Sequence, residues 1–162
     1  MVSFGLVPKT YYTKGVAPNS KYGYGYNLRH PNESGMYDYA LFFESAVDLL
    51  SFIEIKRNLQ GKSLTGTLLV SMAGLKINVV EHMTKTFNVK KIVLCTDADQ
   101  ASTNFATKLR EQGIQHTLSP ASNGKDWNDW LSFFACPANP LSNKKGASSE
   151  DDTAQKKSEN KK

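Results

Sequence analysis

Lys90-Lys-Ile-Val-Leu-Cys-Thr-Asp-Ala-Asp-Gln-Ala-Ser102 holds a short apolar run, two acids one residue apart, and the start of a helical pattern. Ile92-Val93-Leu94 is too short for a helix and lacks polar alternation, so it reads as a strand buried on both faces. Asp97 and Asp99 then fall at the C-terminal end of that strand, where open α/β sheets bind ligands. Residues i and i+2 of an extended segment point the same way, which would let both carboxylates converge on one cation. Paired carboxylates are hard oxygen ligands suited to Mg2+.

The same logic extends along the chain. Tyr39-Ala-Leu-Phe-Phe-Glu44 reads as a second buried strand ending in an acid, with Ser45 as helix N-cap. Ala46, Leu49, Leu50 and Ile53 give an amphipathic helix to about Leu59, stopped by Gly61. Thr67–Ser71 is a further strand, followed by the Met72-Ala-Gly74 turn and a helix carrying Val79, Val80, Met83 and Phe87. A third helix is expected over about Ala101–Gln112, ended by Gly113, and a strand over Ile114–Leu118. The turn-rich loop Ser119–Asp126 leads to a last helix, capped by Asp126, with Trp127, Trp130, Leu131 and Phe134 at core spacing. This alternation predicts an α/β fold: a Rossmann-like, mostly parallel sheet of about four strands with helices on both faces, plus an N-terminal β extension.

Residues 1–38 form an aromatic, Gly-rich N-terminal extension, 39–140 the α/β domain, and 141–162 a charged tail too polar to order itself. All seven tyrosines fall within the first 39 residues. Tyr22-Gly-Tyr-Gly-Tyr26 alternates as a strand would. Interleaved with Lys21, Arg29 and His30, these rings read either as a stacking surface for single-stranded nucleic acid or as an edge strand with ordinary packing aromatics. The net charge of +5 suits a nucleic-acid partner without requiring one. Cys95 and Cys136 match no zinc spacing, and Cys95 reads as a core residue. His30, His82 and His116 share no spacing and read as structural or exposed. No run of about 18 apolar residues and no signal-peptide layout exist, so a cytoplasmic location without membrane contact is the expectation.

Parallel strands place their C-terminal ends on one edge, so Glu44 with Asp48, Asp97 with Asp99, and Asp126 with Asp129 can share one site. Like charges so gathered are costly unless a cation offsets them. Oxygen-only ligation favours Mg2+ or Mn2+ over zinc, and such metals commonly act on phosphates.

Over about residues 39–132 the sequence resembles the Toprim domain of DnaG-type primases, topoisomerases and some nucleases. Phe43-Glu44-Ser-Ala-Val-Asp48 resembles the strand-end glutamate followed by an acid. Leu94-Cys-Thr-Asp97-Ala-Asp99 resembles the Asp-x-Asp motif. Lys125-Asp126-Trp-Asn-Asp129 is similar to the primase-like third acidic segment, and Met72-Ala-Gly74 to the family's glycine turn. The resemblance implies Glu44 as general acid or base, Asp97 and Asp99 as Mg2+ ligands alongside Glu44, and Asp48 and Asp126 as supporting metal ligands. Lys125, beside Asp126, is a candidate phosphate contact, and Arg29 and Lys21 are candidate nucleic-acid contacts. Ser45 and Ser102 stand where glycines are usual. The Ser45 form and the Lys125–Asp129 ending look more like Toprim proteins of conjugative plasmids and transposons. Primase-like nucleotidyl transfer on single-stranded DNA with nucleotides is the implied activity, with a relaxase or helicase as partner. A Toprim nuclease and a non-catalytic nucleic-acid-binding module are the alternatives.

Overall fold

Two apolar strands, Tyr39-Ala-Leu-Phe-Phe43 (β2) and Thr67-Leu-Leu-Val-Ser71 (β3), form the centre of a five-stranded sheet in the computed structural model, which describes residues 21–135. From Ala40 to Phe43 and from Leu68 to Ser71 every residue is buried, as strands covered on both faces require. The remaining strands are β1 (Tyr26–His30), β4 (Lys91–Leu94) and β5 (Thr117–Leu118), in the order β1-β3-β2-β4-β5. β2, β3, β4 and β5 run parallel, and β1 is antiparallel to β3 with Tyr26 opposite Ser71.

The helices are α1 (Ala46–Ile53), α2 (Ile77–Phe87), α3 (Gln100–Glu111) and α4 (Trp127–Ala135). Alternating side chains send Ala40, Phe42, Leu68 and Val70 to one face, where Val79, Val80 and Met83 of α2 and Phe105, Ala106 and Leu109 of α3 cover them. Leu41, Phe43 and Leu69 face the other way onto Leu49 and Phe52 of α1 and Trp127 and Trp130 of α4. Each fully buried large side chain contributes roughly 1.5–3 kcal/mol, so the two clusters jointly hold the sheet between its helices. Cys95 lies buried in the second cluster, a core residue as expected, and burial pushes its thiol pKa up.

Three features depart from the sequence pattern. The N-terminal strand joins the main sheet at β3, giving five strands where about four were expected. The expected strand over Ile114–Leu118 shrinks to Thr117–Leu118: the His116 ring bonds the Ile114 carbonyl at 2.9 Å, and both strand residues are exposed at the sheet edge. The first helix does not stay α-helical to Leu59. It passes at Glu54 into a π-helical turn, Glu54–Leu59, marked by the Gln60 N–H donating to the Ile55 carbonyl at 2.9 Å.

Expectations for the first tyrosines, for Cys136 and for the charged tail from 141 onward lie outside the described residues. Among the described residues no helix is long and apolar enough to cross a membrane.

Candidate metal centre

β2 has β3 on one side and β4 on the other, and α1 and α2, the helices that follow β2 and β3, lie on opposite faces. The C-terminal ends of β2 and β4 therefore flank a crevice of the kind in which open α/β sheets hold ligands. Three carboxylates meet there. One oxygen from each of Asp48, Asp97 and Asp126 lies within 4.8 Å of the other two.

Each acid is placed by its own local structure. Ser45 takes extended backbone and caps α1, its hydroxyl oxygen accepting the Asp48 N–H at 3.1 Å. The same hydroxyl donates to the Asp48 carboxylate at 2.5 Å, which fixes this buried side chain. Asp97 follows β4 by three residues, after Cys95 and Thr96, both buried. Asp126 accepts the Asp129 N–H at 2.7 Å and the Trp130 N–H on its carbonyl at 3.1 Å, so it caps α4 and still joins the cluster.

Two hydrogen bonds draw the segment before α4 onto the segment after β4. The Ala98 N–H donates to the Lys125 carbonyl at 3.0 Å, and the Trp127 indole N–H to the Cys95 carbonyl at 3.1 Å. Gly124 has φ +79°, and a Cβ there would stand 2.6 Å from the Asp129 Cβ, so this turn needs glycine. On the other flank the Met72–Gly74 turn is held by Gly74 N–H donating to the Glu44 carbonyl at 2.8 Å, with Ala73 in the left-handed region at φ +52°.

The electrostatics follow from this crowding. Burial first, then the charges of Glu44, Asp48, Asp126 and Asp99, push the Asp97 carboxyl up to about 6. Glu44 is thus close enough to be felt, though it is not one of the three acids that meet. Asp99 is not one of them either. The chain leaves strand geometry at Leu94, so the alternation of extended backbone no longer governs it. Asp99 turns to cap α3, accepting the Ser102 N–H at 2.8 Å, and that bond lowers its carboxyl pKa.

The basic candidates scatter. Lys125 is exposed and close enough to Asp99 for its charge to help lower that pKa. Lys21 is exposed, its ammonium 5.9 Å from the Tyr24 ring, which packs edge-on against His82. Exposed Tyr24 and Tyr26 sit at the start of β1, the end of that strand which lies beside Ser71 and the acidic edge. Arg29 is carried the other way. It pairs with Leu68 and lies 4.6 Å over the Phe87 ring at the far end of α2. Sequence reasoning missed the Ser45 hydroxyl as the group that orients Asp48, although its N-cap position was the available signal.

A family model described as Toprim-like matches residues 41–131, more than half of the chain. The chain belongs to the Toprim-like family. The matched segment contains Glu44, Asp48, Asp97, Asp99 and Asp126. Among solved structures the chain is similar to the crystal structure of the primase fragment of the bacteriophage T7 primase-helicase protein, at 14% identity and TM-score 0.41. That match covers 62% of this chain and 39% of the other, well under two thirds of its length. No curated protein matches the chain.

As a donor set the cluster suits a hard divalent cation: three carboxylates and no sulfur or imidazole.

Proposed function

We propose that this Toprim-like chain performs Mg2+- or Mn2+-dependent phosphoryl transfer on nucleic acid, as primase-like nucleotide addition on single-stranded DNA. The observation that carries the reading is the approach of Asp48, Asp97 and Asp126 to within 4.8 Å at the crevice. Left alone, three such charges repel; a divalent cation offsets that cost. When bound, such a metal supplies Lewis-acid neutralisation of phosphate charge beside the attacking and leaving oxygens.

The chain's own groups divide the remaining work. Asp48, Asp97 and Asp126 hold the cation, and Ser45 keeps the Asp48 carboxylate in place. Glu44, at the end of β2, receives or returns the proton of the reacting hydroxyl. Asp99 fixes the start of α3 and adds negative charge beside Asp97. Lys125 and Lys21 offer cations to the backbone of the strand, and Tyr24 and Tyr26 offer exposed rings for its bases. Resemblance of Ser45 and of Lys125–Asp129 to proteins of mobile elements supports a setting in DNA transfer, beside a relaxase or helicase.

The test is a pair of assays on the purified chain with Mn2+ or Mg2+ and a single-stranded template. Metal-dependent incorporation of nucleotides, lost in Asp97→Asn, is the expected result. Metal-dependent strand scission without incorporation would reassign the site to a nuclease. Full activity in Asp97→Asn would remove the carboxylate cluster from the reaction.

A further inference from the structure

A second cavity lies on the α1 side of the sheet. It has a volume of about 290 Å3 and is lined by Tyr39, Lys56, Lys62, Ser63, Thr67 and Ser119, among others. This is just below the roughly 300–1,000 Å3 range of drug-sized ligand clefts. Its existence explains why Val93, expected to be buried, is only half-buried: it lines the cavity.

The lysines are placed by an unusual piece of backbone. Lys56 lies in the π-helical turn Glu54–Leu59, and its carbonyl accepts the Lys62 N–H at 2.8 Å, which ties the two lysines together. The Lys56 ammonium stands 5.1 Å from the Trp130 ring, 5.4 Å from Trp127 and 5.9 Å from Phe52. Three rings thus locate this cation before any ligand arrives. Its ammonium donates to the Gln60 amide oxygen at 3.4 Å. Neither Lys56 nor Lys62 pairs with a carboxylate among the described residues. Burial, then the charge of Lys62, lowers the Lys56 pKa. Tyr39 at the rim is 41% exposed, with the Lys91 ammonium 5.5 Å from its ring, adding a third positive charge. π-Helical turns tend to persist where they serve a site.

We propose that this cavity is a nucleotide-binding site separate from the carboxylate cluster, in which Lys56 and Lys62 hold a phosphate and Tyr39 supports the base. The occupant is one nucleotide of a single strand, and Ser119, which also lines the cavity, begins the loop that ends at Asp126. The phosphate chemistry stands on the lysines alone; the choice of a nucleic-acid strand rests on the function proposed above.

The experiment is fluorescence anisotropy of a labelled oligothymidylate with the full chain in EDTA, which silences any metal site. Lys62→Glu is expected to weaken binding about tenfold and to lower the slope of log affinity against log salt by about 0.7, one phosphate contact on a single strand. Lys56 also packs in the ring cage, so the exposed Lys62 carries the test without disturbing the core. Lys85→Glu, the same charge change on the exposed surface of α2, controls for net charge and is expected to leave the slope in place. Tyr39→Ala is expected to weaken binding about fivefold or more, and Tyr39→Phe to preserve it. Competition with a free nucleoside triphosphate identifies the source: displacement by nucleotide at a concentration comparable to that of the strand assigns the site to free nucleotide, and failure of a large excess to displace assigns it to the strand. Equal affinity and slope for wild type and Lys62→Glu would overturn the proposal. A metal titration of Lys62→Glu that matches wild type would show that the two sites fail or succeed separately.

Discussion

The backbone N–H of Ala98 donates to the carbonyl of Lys125 at 3.0 Å, joining two loops that are 27 residues apart. Ala98 follows Asp97 and Lys125 precedes Asp126, so this one bond brings two carboxylates of like charge to the same place. The Trp127 indole, bonded to the Cys95 carbonyl, repeats the attachment from the other side of each acid. Repulsion between Asp97 and Asp126 is therefore opposed by two hydrogen bonds, each contributing about 1 kcal/mol, and by burial of the Trp127 ring.

Gly124→Ala tests that clamp. The residue sits at φ +79°, and the added Cβ would meet the Asp129 Cβ at 2.6 Å, a contact that forces the turn to shift. A cost of about 1–3 kcal/mol is expected. The turn carries Asp126, so affinity for Mn2+ should fall with stability. Urea unfolding and calorimetric titration of the same variant check both; unchanged metal binding would show that the turn does not position Asp126.

The raised carboxyl of Asp97 fixes the pH dependence. Between its ordinary value of 3.8 and about 6 the folded chain holds a proton that the unfolded chain has released. Stability of the metal-free protein therefore falls as pH rises through that window. The interval corresponds to roughly 3 kcal/mol at full strength, and solvent access reduces it to on the order of 1 kcal/mol. Asp97→Asn removes the charge, so without metal it should unfold later than wild type at pH 7 and equally near pH 4. Saturating Mn2+ should reverse the order at pH 7, because only wild type gains from binding. Urea melts in EDTA and in Mn2+ at both pH values decide it.

What was legible in the chain, and what was not, follows from the range of each signal. Strands β2 and β3 and all four helices were readable because burial on two faces and 3.6-residue periodicity are written locally. The caps at Ser45 and Asp126 were readable for the same reason. Asp99 falls outside the group of three because alternation belongs to strands, and β4 ends at Leu94, before the acids begin. The Lys56 cage was invisible in sequence: it depends on a π-helical turn and on Trp127 and Trp130, about 70 residues away. The pairing of β1 with β3 was hidden likewise, since no local pattern names a distant partner strand.

Ser45 separates capping from positioning. Ser45→Ala should lose about 1 kcal/mol from the missing cap, and Ser45→Gly only a few tenths. Both variants lose the hydroxyl that reaches the Asp48 carboxylate at 2.5 Å. If that contact orients a metal ligand, both should bind Mn2+ about tenfold more weakly despite their different stabilities. Wild-type affinity in Ser45→Gly would mean that Asp48 needs no such support.

Glu44→Gln and Asp97→Asn should fail in different ways, because one group is assigned to proton movement and the other to the cation. Gln keeps the size and hydrogen-bonding capacity of Glu44 but cannot take up a proton. It also removes the carboxylate that contributes most to the raised Asp97 pKa after burial. Glu44→Gln should therefore bind Mn2+ to half-saturation at a slightly lower pH than wild type, retain DNA binding, and lose turnover by about 10²–10⁴-fold. Asp97→Asn should lose turnover together with metal binding. Titrating Mn2+ across pH 5–7 and assaying nucleotide incorporation on the same preparations distinguishes the roles. Retained turnover in Glu44→Gln would move the proton-transfer role to another group at the crevice, and lost metal binding would make Glu44 a ligand.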